Sequence, residues 1–478
     1  MQHPHIIQGG MGVGVSHWYL ARKVAEQGQL GVVSGTALDV VLARRLQQGD
    51  PGGHMLRALK AFPDQAVAEN IINKFYNEGQ SEEFHDFSQV PVFTINPIKE
   101  VQELTVVANF VEIYLAKEGH DGKVGINYLE KIQMPNPASI YGAMLAGVDY
   151  ILVGAGIPID FPQLIDNFTA SNTGSIPLHV EGAQKEEKHK ISFNPSDILK
   201  NPPEKLKRPY FFPIVSSFIL AMTMAKKAKG RVDGLILENH TAGGHNAPPR
   251  GVMHMDENGE PVYGEKDEID YKRIADLGLP FWIAGGFSTV DSFEYARANG
   301  ASGIQIGSLF AFCRESGLLD EIKKKFLALI EAGKQIVFTD PNASPTGFPF
   351  KVAAIKDTIS QTEEFLKRKR VCNLGYLRKL FRKKDGTIGY KCPAEPIEGY
   401  KQKNGTVEET EGKKCLCNSL LANIGLAKKY ARGYIEKPLI TVGEYLDSLR
   451  HIVREKGLDY TASDVISMLI SNKVHTKV

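Results

Sequence analysis

One short stretch, LILENHTAGGHNAPPRG (residues 235–251), gathers side chains that can handle protons around a glycine pair. Glu238, His240 and His245 flank Gly243 and Gly244, and two prolines stiffen the segment just beyond. An imidazole titrates near neutral pH, so beside a redox-active ligand it can donate or accept a proton. His245, placed directly after the glycine pair, is the candidate catalytic residue, and His240 a second histidine of the same loop. A histidine in a loop is more often structural, so the catalytic reading depends on elements that aim this one at a ligand.

Three glycine clusters offer a place for the ligand. QGGMGVGVS (8–16) runs from a strand-like segment through Gly10, Met11 and Gly12 into a helical pattern. Glycine lets the backbone approach a flat ligand because no Cβ stands in the way, although a tight turn without any ligand uses the same residues. WIAGGFS (282–288) holds Gly285 and Gly286, and GIQIGSLF (303–310) holds Gln305, Gly307 and Ser308. Each of these two lies just past an apolar, β-branched run, where backbone N–H groups can cradle a phosphate. Glycines used only to pack helix against strand are the alternative.

The elements that must position these residues alternate along the chain. Short apolar runs at 5–8, 30–34, 124–127, 150–154, 211–215, 234–238, 281–285 and 303–307 read as strands, and amphipathic stretches such as 16–27, 138–147, 218–230 and 288–300 read as helices, several ending in glycine. Eight parallel strands with crossover helices predict a (β/α)8 barrel, in which chemistry sits at the C-terminal ends of the strands and the last two loops frequently bind phosphate. The pattern is broken between 38 and 122 by a helical insertion, and between 176 and 198 by an inserted strand pair. A domain boundary is expected near 340, with a ligand-binding barrel in 1–340 and a separate extension in 341–478.

The composition is that of a globular protein, with 42% hydrophobic and 23% charged residues in 478. A net charge of +2 indicates neither a nucleic-acid nor a membrane surface. No apolar stretch approaches the roughly 20 residues of a membrane span, and the N-terminus lacks the pattern of a secretion signal. A cytoplasmic protein acting on a small molecule is the expectation. Four of the five cysteines, Cys372, Cys392, Cys415 and Cys417, fall in the extension. Four thiolates can close a zinc site or hold an iron–sulfur cluster, and free or redox thiols are the alternative. The basic run 367–383 is a solvated face or a docking site for an acidic carrier protein.

QGGMGVGVS, NHTAGGH, AGGF and GIQIGS resemble, in order and spacing, the nitronate monooxygenase family, formerly called 2-nitropropane dioxygenases, which includes FMN-dependent enoyl-acyl-carrier-protein reductases. The resemblance covers roughly residues 4–330. It implies FMN, bound by the barrel of residues 1–340, with the ring near Gly10, Met11 and Gly12, Asn127 at a polar ring edge, and the phosphate held by Gly243, Gly286, Gln305, Gly307 and Ser308, with Glu238, Gly244 and Gly285 in the same cofactor site. It further implies that His245 is the active-site histidine. Glu238 stands where many relatives carry glutamine, and an anionic carboxylate beside a reduced flavin would be awkward unless protonated or paired. The implied activity is oxidation of alkyl nitronates with dioxygen. An NAD(P)H-dependent enoyl-thioester reductase is the alternative, with an acyl carrier protein as partner, and a non-catalytic flavin-binding scaffold, in a homo-oligomer or a larger complex, is a third.

Overall fold

The computed structural model describes residues 3–470. Its central feature is a closed barrel of eight parallel strands: β1 (Ile6–Gln8), β2 (Leu30–Ser34), β3 (Val124–Leu129), β4 (Tyr150–Gly154), β5 (Tyr210–Val215), β6 (Leu235–Glu238), β7 (Phe281–Ala284) and β8 (Gly303–Ile306). Closure runs through β1 and β8, where Ile6, Ile7 and Gln8 pair with Ile304, Gln305 and Ile306. The (β/α)8 architecture expected from the sequence is therefore observed, strand by strand. The strands read as near-continuous apolar runs because both faces are covered, one by the barrel interior and the other by helices.

Alternation along each strand divides the interior into layers. Ile7, Leu30, Val32, Tyr150, Leu152, Phe212, Ile236 and Trp282 fill the lower part as one apolar cluster. Trp282 stacks on Phe212, and its indole N–H donates to the carbonyl of Pro4 at 2.9 Å, so the N-terminal segment seals the bottom. Two residues further along β3, β6 and β8 the same inward face presents Asn127, Glu238 and Gln305. Polar side chains at the strand ends turn a packed core into the floor of a cleft.

Helices Leu38–Gln47, His54–Leu59, Gln65–Phe75 and Lys99–Lys117 occupy the stretch between β2 and β3. The second irregular region contains the expected strand pair, Gly174–Pro177 antiparallel to Lys190–Phe193. The chain beyond 335 folds back onto the top of the barrel. Phe350–Ala353 pairs antiparallel with Val337–Asp340 and with Gly244–His245 of the loop after β6. Thr441 then bridges to Val352. Helices Asp447–Lys456 and Ala462–Ile470 come last. No helix among the described residues is long and apolar enough to cross a membrane.

Candidate active site

A cleft of about 220 Å³ opens at the C-terminal ends of the strands. All thirteen residues that the sequence singled out as catalytic or cofactor-binding line it: Gly10, Met11, Gly12, Asn127, Glu238, Gly243, Gly244, His245, Gly285, Gly286, Gln305, Gly307 and Ser308. Motifs far apart in the chain meet in one cavity because each lies at the end of a strand of the same barrel.

The floor is shaped by close backbone approach. A Cβ on Gly10 would lie 2.4 Å from the Cβ of Asn127, so only glycine lets these two strand ends meet. Asn127 Oδ1 and Gln305 Oε1 are buried and have no hydrogen-bond partner. Buried acceptors are nearly always paired in native proteins, and leaving one unpaired costs about 1–3 kcal/mol. Two such acceptors in one cleft mark the places where a ligand with N–H groups would complete the hydrogen bonding.

Glu238 sits on this floor at the end of β6, where burial pushes its carboxyl up to about 7. A protonated carboxyl presents both a donor and an acceptor. Desolvation disfavours the awkward anion.

His245 stands on the wall, in the two-residue strand that pairs with Phe350. Its Nε2 lies 2.8 Å from the Ser344 hydroxyl, which is itself 2.7 Å from that of Thr346. The Phe350 ring meets the imidazole edge-on at 4.8 Å. Burial holds the imidazole down to about 4, so it is neutral at physiological pH. His240 points elsewhere: its ring stacks on Tyr263 with centroids 4.0 Å apart, and it does not line the cleft.

No family model matches the chain, and no curated protein matches it. Its fold has counterparts among solved structures. FabK from Thermotoga maritima is 13% identical, with 99% of this chain and 94% of that chain covered and a TM-score of 0.47. A nitroalkane oxidase from Streptomyces ansochromogenes is 12% identical over 98% of this chain and 94% of its own, with a TM-score of 0.44. The enoyl reductase domain of MlnA from Bacillus amyloliquefaciens is 11% identical over 97% and 91%, with a TM-score of 0.46. At TM-scores below 0.5 these likenesses carry no argument, and the chemistry rests on the cleft.

Part of the cleft comes from residues with no motif to announce them. Thr441, Val442, Gly443 and Tyr445 line it from the C-terminal extension, as do Leu420 and Asn423. The Gly443 N–H donates to Ser308 Oγ at 2.9 Å, and the Glu444 N–H to the Thr241 carbonyl at 2.9 Å. A Cβ on Gly243 would meet the Val442 carbonyl carbon at 2.7 Å. Gly243 therefore owes its identity to this strap, although the resemblance placed it at a phosphate.

The four cysteines of the extension do come together, around a second, smaller cavity of about 10 Å³. Among the described residues no group of three or more His, Cys, Asp or Glu is arranged as a preformed metal site. The basic run is largely used within the fold. Arg368 makes a buried bidentate pair with Glu436 at 2.6 and 2.8 Å, Arg370 donates to backbone carbonyls, and Arg382 pairs with Glu187.

Proposed function

We propose that the chain is an FMN-dependent oxidoreductase whose substrate arrives already as an anion, with alkyl nitronates as the substrate class. The observation that carries this reading is the neutral, buried His245 on the wall of a cleft whose floor offers two unpartnered acceptors. The residues present fit the cofactor. Asn127 and Gln305 supply acceptors for ring N–H groups, Glu238 in its protonated form supplies a further donor, and Gly10 and Met11 line the cleft beside them. Gly286, Gly307 and Ser308 line the wall after β7 and β8, where the phosphate would be held.

Bound FMN would supply the electron transfer between substrate and dioxygen. The chain's own residues bind, orient and exclude water. An imidazole with a pKa of about 4 is a weak base, poorly suited to removing a proton from a neutral nitroalkane. As a neutral N–H donor it is well suited to hydrogen-bonding an oxygen of a preformed nitronate. Entry of that anion raises the imidazole's proton affinity and strengthens the bond. The overall stoichiometry balances as two nitronate anions and one dioxygen giving two carbonyl compounds and two nitrite ions.

Anaerobic mixing tests the assignment. Bleaching of the flavin band by an alkyl nitronate, with no response to NAD(P)H, is the expected result. Rapid bleaching by NAD(P)H and none by nitronate would instead identify an enoyl-thioester reductase.

A further inference from the structure

The extension's four cysteines come from three separate segments, 372, 392 and 415–417, yet they line one cavity with only apolar neighbours, among them Pro345, Leu374 and Leu377. Cys392 and Cys415 are buried, and Cys372 and Cys417 pack against them. Cys372 stands beside Cys392, and Cys415 beside Cys417. An apolar core has no need of four thiols, and any four small hydrophobic side chains would pack as well.

Polar groups also reach the cluster. Cys415 Sγ accepts from the Asn418 side-chain amide at 3.3 Å. Hydrogen bonds of this kind hold metal-ligating groups in place and offset their charge. Arg370, whose donors go to the carbonyls of Pro393, Glu395 and Thr410, adds a positive charge facing Cys392 and Cys415.

We propose that Cys372, Cys392, Cys415 and Cys417 form a structural tetrathiolate site for a single zinc ion. Four thiols around one small cavity match the tetrahedral all-cysteine coordination of a structural zinc ion. Zinc there would hold the four sulfurs on one centre and displace the thiol protons. Zinc there ties three irregular segments together. It also fixes the start of helix Leu416–Ala422, whose Leu420, with the adjoining Asn423, walls the flavin cleft.

The full-length chain, produced with zinc in the medium and purified in the presence of a reductant, is expected to carry about one zinc ion per chain. Exchange for cobalt(II) is expected to give an intense thiolate-to-metal charge-transfer band. Cys417→Ser should lose most of the metal, whereas Cys313→Ser, a buried thiol outside the cluster, should keep it. Zinc-free reduced protein that develops no charge-transfer band with cobalt would overturn the proposal, even if every cysteine variant failed to fold. Iron accompanied by acid-labile sulfide, or disulfides within the two pairs of freshly isolated protein, would overturn it as well.

Discussion

Replacing Glu238 by glutamine isolates the electrostatics of the cleft floor from its shape. Burial raises the Glu238 carboxyl from 4.5 to about 7. Below pH 4.5 the carboxyl is protonated in folded and unfolded chains alike, and it imposes no penalty. Between pH 4.5 and 7 the unfolded chain ionises while the folded chain keeps its proton, so stability falls as pH rises through this window and levels off above it. The shift of about 2.5 units corresponds to about 3 kcal/mol at 1.36 kcal/mol per unit. Glutamine is nearly isosteric and does not titrate. Glu238→Gln should therefore match the wild-type chain within about 0.5 kcal/mol at pH 4.5 and exceed it by about 3 kcal/mol at pH 8.5. Urea unfolding of the flavin-free protein at both pH values measures the difference. A stability gap that stays constant from pH 4.5 to 8.5 would refute the claim that Glu238 is held protonated by desolvation.

Other residues give equally direct expectations. His245→Ala should lower turnover by about 100-fold or more with flavin still bound, as steady-state kinetics and the absorption spectrum will show. Burial also depresses the imidazoles of His245, to about 4, and His17, to about 3, so the unfolded chain takes up protons that the folded chain refuses as pH falls below 6.5. Stability should drop over pH 6.5 to 4, and His245→Gln should remove about 3 kcal/mol of that loss in urea titrations. Gly10→Ala drives a Cβ to within 2.4 Å of the Asn127 Cβ and should weaken FMN binding by about 10-fold or more, read by fluorescence quenching, with far-ultraviolet circular dichroism unchanged. Arg368→Met leaves Glu436 charged and buried and should cost about 3–5 kcal/mol, a loss that adding Glu436→Gln largely reverses.

The barrel was legible because its signals are local. Each strand is an apolar run ended by a turn, as in GIQIGS and WIAGG, and a single barrel places all such turns on one face. The cleft's glycines and His245 could be found for the same reason, whereas Asn127 and Gln305 were pointed to only by the family resemblance. The strap 439–445 could not, because its role depends on pairing across the chain, Thr441 with Val352 and Gly443 with Ser308, and nothing in ITVGEY encodes where that segment lands. The protonation of Glu238 and the neutrality of His245 were hidden too, since both arise from burial, which residue type and spacing do not report. His240 looked like a twin of His245 in sequence, and only the stack on Tyr263 separates them.

The binding of FMN by the cleft is the claim on which the proposed chemistry depends. The most direct measurement is the absorption spectrum of the purified protein, with mass analysis of any chromophore released on unfolding. A flavin spectrum with about one FMN released per chain is the expected result. A colourless protein that fails to quench the fluorescence of added FMN would contradict it.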